Sequence, residues 1–223
     1  PPESTPQPEV AATVTPQEPT QVENTPTATP TKTLMPTITN TPGPVVFFEE
    51  NFTGSLDNWE QWRETGMPDP RIIMDDFLQL NGLDYDKVGI TSKIIVPLVP
   101  GMMFEFNAEV DDLEDRFLYF DWYPGPTKRP VNKLSTLYLG INNVEILLYY
   151  SQDPTNMRCS LDLDGTALRR YQIEFGPNWE VTFLIDDELQ AECSGVFKPP
   201  DILEGHVTFS AWGRVDSFKI IMP

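Results

Sequence analysis

Met102-Met103-Phe104-Glu105-Phe106-Asn107-Ala108-Glu109-Val110 is the stretch that decides the fold class. Side chains alternate across an extended chain, so Met102, Phe104, Phe106, Ala108 and Val110 share one side while Met103, Glu105, Asn107 and Glu109 share the other. That is the pattern of a strand with one face in a core and one toward water. Tyr171, Ile173 and Phe175 alternate with Gln172 and Glu174, and Val207, Phe209 and Ala211 with Thr208 and Ser210. The run 117–123 places Leu118, Phe120 and Trp122 on a core face and Tyr119, Asp121 and Tyr123 opposite them. By these rules the chain holds about eleven or twelve strand-like runs, and no segment sustains an amphipathic helical period over three turns. An all-β domain follows. Asp164-Gly165 and Asp186-Asp187 each divide two such runs and predict tight hairpins, since these residues tolerate positive φ.

The pattern begins only at residue 45. Residues 1–44 contain 11 of the 23 prolines, 12 threonines and no Trp, Tyr or Phe. Such a segment buries too little apolar surface to offset the entropy of ordering its backbone. It predicts a disordered, polyproline-like tether (1–44) holding out a single domain (45–223). Thr/Pro alternation of this kind resembles linkers of secreted and surface-attached bacterial proteins, which places the chain outside the cytoplasm. An upstream signal peptide or membrane anchor fits that placement.

The net charge is −19, and the tether contributes four Glu against Lys32, leaving −16 on the domain. A field of that sign repels nucleic acid and anionic lipid, so neither is expected as a partner. No run of 18 apolar residues exists to span a membrane. Two cysteines, Cys159 and Cys193, read as one disulfide in an exported protein, with a buried reduced pair as the alternative. A single His with two Cys gives too few soft ligands for zinc.

Three stretches resemble the concanavalin A-like lectin/glucanase superfamily, in particular its laminin-G-like bacterial modules. They are the opening Phe47-Phe48-Glu49-Glu50-Asn51-Phe52 with Leu56-Asp57-Asn58-Trp59, the hairpin 180–189, and the closing Arg214-Val215-Asp216-Ser217-Phe218-Lys219-Ile220. The resemblance implies a two-sheet antiparallel jelly-roll sandwich whose last strand returns beside the first. It also implies a concave face that holds carbohydrate in relatives, although fold alone does not transfer function.

Glu109-Val110-Asp111-Asp112-Leu113-Glu114 spells the Glu-x-Asp-x-x-Glu of the superfamily's retaining β-glucanases. The resemblance would make Glu109 the nucleophile, Asp111 its electrostatic helper and Glu114 the acid/base, with the outer carboxyls about 5 to 5.5 Å apart. Asp112 stands where those enzymes carry an apolar residue, so the segment reads better as a polar turn, and the chain as no enzyme. Sugar-binding sites pair aromatic platforms with short polar side chains. Tyr119, Asp121 and Tyr123 form the candidate, extended by Tyr138, Asn143 and Tyr149 or Tyr150. Glu49 or Glu50 with Asp216, or Asp84 with Asp86, could supply oxygens to a structural calcium; no other cofactor is implied. The expected function is a non-catalytic carbohydrate-binding or adhesive module facing a polysaccharide or surface glycan. Its alternatives are a retaining endo-β-glucanase on Glu109, Asp111 and Glu114, and a structural or protein-recognition sandwich without a small ligand.

Overall fold

In the computed structural model, residues 43–63, 71–74, 76–81, 88–112, 116–125, 137–149 and 159–223 are described. Residues 1–42 of the predicted tether, Asp84, Asp86, Glu114 and Tyr150 lie outside them. The first strands are β1 (Val45–Glu50), β2 (Trp59–Arg63), β3 (Arg71–Met74), β4 (Leu78–Asn81), β5 (Val88–Ser92), β6 (Val96–Pro97) and β7 (Met103–Glu109). Then come β8 (Leu118–Pro124), β9 (Leu137–Ile141), β10 (Ile146–Tyr149), β11 (Cys159–Leu161), β12 (Arg169–Phe175), β13 (Glu180–Ile185) and β14 (Glu188–Leu189). A 3₁₀ turn at Ala191–Cys193, β15 (Gly195–Val196) and the 19-residue β16 (Glu204–Met222) complete the set.

All pairings among these strands are antiparallel, and they build two layers that share β16. Its second half pairs β1, β4 and β7, and β7 continues through β12 to β13, giving the first layer. Its first half pairs β5, β6 and β8, and β8 continues through β9 and β10 to β11, with β2 on β5, giving the second. This is the jelly-roll β-sandwich, with the last strand beside the first as expected.

Between its halves β16 changes layers, and the backbone there is unusual. Ala211 has φ 73° and Gly213 φ 156°. A Cβ on Gly213 would lie 2.8 Å from the Leu118 Cβ and 2.9 Å from the Glu109 carbonyl oxygen, so the close approach of β7 and β8 requires glycine. The core lies between the layers, where Phe104, Phe106, Phe120, Phe209 and Phe218 meet ring against ring at centroid spacings from 4.9 Å upward. Trp59 packs against Phe209 and Phe218 from the second layer's β2. Each such ring pair adds about 0.5 to 1.5 kcal/mol beyond the area it buries.

Asp186 and Asp187 take φ 53° and 68°, and β13 pairs β14 across them, so this hairpin forms as read. Arg169 and Arg170 reach those two carboxylates from the neighbouring β12. The hairpin expected at Asp164-Gly165 does not form. β11 pairs β10 in the second layer while β12 pairs β7 and β13 in the first, so the chain crosses between layers at this point. Two amide contacts hold the crossing: Gly165 N–H donates to the Asn142 carbonyl and Val110 N–H to that of Gly165. A turn-prone dipeptide fits a crossover as well as a hairpin, and only the register of the flanking strands separates the two.

Cys159 of β11 and Cys193 of the 3₁₀ turn are bonded, tying the edge of the second layer to the first. The bond is consistent with an oxidising, extracellular setting. Among the described residues no helix is long and apolar enough to cross a membrane. Cys159→Ser with Cys193→Ser should lower the unfolding free energy by about 3 to 4 kcal/mol in urea titrations, because the bond closes a 34-residue loop. An unchanged midpoint would show that the layers hold equally well without it.

Candidate functional site

The outer faces of the two layers differ in chemistry. On the first layer, polar side chains pair with one another. Arg214 bonds Glu109 at 3.3 Å and Asp216 at 2.7 Å, Lys219 lies 3.3 Å from Glu49, and Gln172 donates to Glu105 at 2.9 Å. Half-exposed pairs of this kind contribute modest stability each. They leave a zipped, solvated surface.

On the second layer, cross-strand register aligns one row of side chains over six strands. Glu60 on β2 faces Thr91 on β5, Thr91 faces Thr208 on β16, and Thr208 faces Asp121 on β8. Asp121 in turn faces Tyr138 on β9, and Tyr138 faces Tyr149 on β10. Next to this row runs another that includes Ser210, Tyr119 and Gly140, and beyond Asp121 lie Tyr123 and His206. Several of these polar groups are enclosed although they sit on the outer side of a sheet: Thr91 and Thr208 are 0% exposed and Asp121 is 5% exposed.

Buried polar groups need partners. The hydroxyls of Thr91 and Thr208 are 3.0 Å apart, and the Tyr123 hydroxyl donates toward Thr91 at 3.5 Å. His206 Nδ1 lies 2.9 Å from the Ser92 carbonyl oxygen, and Val207 N–H donates to the Ser92 hydroxyl. Aromatic rings continue the surface. Phe117 and Tyr119 stack at 5.4 Å, Tyr119 and Tyr138 are 5.1 Å apart, and Tyr138 meets Tyr149 edge-on at 5.3 Å. Burial, foremost, raises the Tyr138 phenol far above its ordinary 10.0, with Tyr119 and the Asp121 charge adding to it. Burial also raises Tyr123, against the lowering effect of hydrogen bonds with Thr91 and Thr208. These phenols therefore stay neutral through the physiological range and offer hydroxyls that can donate or accept.

Of the residues expected from sequence, this face gathers Tyr119, Asp121, Tyr123, Tyr138 and Tyr149. Asn143 is not among them. Because Ile146 faces Ile141 and Tyr149 faces Tyr138, Asn143 belongs to the β9–β10 turn at the far end of the hairpin, where its amide donates to Asp112 at 3.3 Å. Thr91, Thr208, Ser210 and His206 belong to the face and were missed. Short hydroxyl side chains in strands are ordinary, so only their cross-strand alignment marks them.

Glu109 ends β7 on the first layer's outer face and is paired with Arg214, as above. Asp111 lies beyond the strand end and accepts from the Trp212 indole N–H at 2.6 Å, while Arg116 stacks on the Trp212 ring at 3.8 Å. Glu109 thus lies on the first layer's outer face, and Asp111 in the loop after its strand, bonded to Trp212, whose own amide donates to the Phe117 carbonyl. Glu50 and Asp216 do not converge either. Glu50 accepts from Phe52 N–H, Asn58 and the Trp59 indole, clamping a turn in which Phe52 has φ 56°, and Asp216 accepts from Arg214. Among the described residues no three His, Cys, Asp or Glu side chains group as metal ligands do.

No family model matches the chain, and no curated protein matches it in sequence. Solved structures do share its fold. The Bacillus licheniformis β-glucanase aligns at TM-score 0.56 and 13% identity over 79% of this chain and 97% of its own. A GlcNAcα1-4Gal-releasing endo-β-galactosidase from Clostridium perfringens aligns at 0.57 and 13% over 82% and 64%. Rv0315 of Mycobacterium tuberculosis, an immunostimulatory antigen and pseudo β-1,3-glucanase, aligns at 0.55 and 13% over 80% and 99%. These likenesses show a shared jelly-roll β-sandwich fold. They also correct the expectation that it is not an enzyme: glucanases and an endo-galactosidase stand among the structures sharing the fold, which removes the ground for setting catalysis aside.

The raised phenols have a measurable consequence. A group whose folded pKa is raised holds its stability contribution below the unfolded value, here 10.0, and loses it as pH climbs through the folded value. Absorbance titration well above pH 10, where ordinary phenols are fully ionised, should therefore count fewer tyrosinates than the seven tyrosines of the chain, with Tyr123, Tyr138 and Tyr171 in the deficit. Unfolding should recover the missing signal and stability should fall steadily above pH 10. Seven tyrosinates in the folded protein would contradict this burial.

Proposed function

We propose that the protein is a carbohydrate-active β-sandwich that holds a polysaccharide or surface glycan on the outer face of its second layer. The observation that carries this reading is the joined run of Phe117, Tyr119, Tyr138 and Tyr149 beside the enclosed Asp121, Thr91 and Thr208. Pyranose rings present apolar C–H faces rimmed by hydroxyls. Aromatic rings meet the first and fixed short polar groups the second. The carboxylate at the centre of the row and the −19 net charge favour a neutral glycan over a uronic or sulfated one.

Hydrolysis of the bound glycan is the second reading, and the glucanases sharing the fold favour it. Glycoside hydrolysis commonly uses two carboxyl groups. The sequence offers Glu109, Asp111 and Glu114 for that role, whereas the tyrosine face offers Asp121. The substituted residue that abolishes turnover tells which face works.

The test is retention of the full chain in native gels containing soluble β-1,3-1,4-glucan, β-1,3-glucan or galactan, with polygalacturonate as the anionic control. Tyr119→Ala and Asp121→Asn should each weaken retention by about tenfold, the effect of losing one well-placed contact. Retention by none of the neutral polymers overturns the reading and favours a sandwich that recognises protein. In parallel, reducing-sugar release from the same polymers should disappear in Asp121→Asn if the glycan face is the catalytic one, and in Glu109→Gln if the first layer is.

A further inference from the structure

Gly140 lies in β9, opposite Tyr119 of β8 on one side and Leu147 of β10 on the other. Two ordinary reasons for a glycine are missing here. Its φ is not among the positive values, and no backbone atom is among the three atoms nearest to a Cβ built on it. A glycine inside a strand also weakens that strand, so it carries a cost without a backbone benefit.

What the absent side chain makes room for is aromatic. A Cβ at Gly140 would lie 3.2 Å from the Tyr138 hydroxyl oxygen and 3.3 and 3.4 Å from two carbons of the Tyr119 ring. The two phenols therefore converge over a bare Cα, with ring centroids 5.1 Å apart and planes 31° from each other. Tyr119 is at the same time parallel to Phe117 within 4°, which fixes its plane from the other side. At this position the two rings rest directly against the β9 backbone, where any larger residue would place a Cβ between them and the chain.

We propose that Gly140 is a positioning residue for glycan recognition: its missing side chain lets Tyr119 and Tyr138 lie over the sheet, so that ring faces form the surface on which a neutral pyranose stacks. The inference rests on the reading that this face takes a glycan. A methyl group at 140 displaces the rings by a few tenths of an ångström without touching the backbone. It thereby separates recognition from folding, since alanine suits a strand better than glycine does.

The experiment uses the 223-residue chain and whichever neutral polymer retains it among β-1,3-1,4-glucan, β-1,3-glucan and galactan. Gly140→Ala should keep or raise the thermal midpoint while weakening retention about three- to tenfold, the scale of one displaced aromatic contact. In a Tyr119→Ala background the same substitution should cost less, because part of its effect passes through that ring and only the rest through Tyr138. Unchanged retention overturns the proposal. A lowered thermal midpoint does too, because it marks an ordinary structural glycine, and so does a loss that adds in full to that of Tyr119→Ala. Failure of the unsubstituted chain to bind any of the three polymers is a different result, which overturns the glycan reading itself.

Discussion

Everything else in the fold depends on β16 serving both layers. A strand of 19 residues would overrun a single small sheet, and this one hands its hydrogen bonding from β8 and β5 to β7 and β4 around Ala211 to Gly213. Changing layers needs a local break in the pleat, and the positive φ values there supply it. The break brings the Glu109 carbonyl and Leu118 against Gly213, so the ends of β7 and β8 are held together by the same three residues. With that crossing in place, Phe209 from one half of β16 and Phe218 from the other face each other at 5.4 Å across the core. The two layers are thus packed by side chains of one continuous strand.

Much of this architecture is legible in the sequence because a period of two is a physical necessity of a half-buried strand. Met103 to Glu109 and Tyr171 to Phe175 bury the side that their alternation indicates, whereas Val207 to Ala211 is buried on both sides. The disulfide is legible from cysteine count and compartment, and the bond is present. What alternation does not carry is register. It tells that Tyr119 and Asp121 share a face, but not that Thr208 and Tyr138 flank Asp121, nor that Asn143 falls in a turn. The Asp164-Gly165 crossover was misread for the same reason, since a turn signal does not say which strand the next one will pair. The acidic hexapeptide shows a further limit. Its spacing resembles a catalytic signature, yet β7 ends at its first residue.

The two outer faces of the sandwich show how similar residues can be put to different ends. On the first layer, Glu, Asp, Arg and Lys neutralise one another at the surface, where water already solvates them and the pairs add little. On the second, hydroxyls and one carboxylate are nearly removed from water, which costs free energy unless each is bonded in a fixed place. A domain seeking only stability would fill those positions with apolar residues, as Val and Leu fill the opposite side of the same strands. Thr91, Thr208 and Asp121 are instead held in one cross-strand row that continues into the run of aromatic rings. Groups already desolvated and fixed lose little further entropy when a partner arrives, so a face built this way is preorganised for one. That asymmetry, more than the fold, is what directs attention to the second layer.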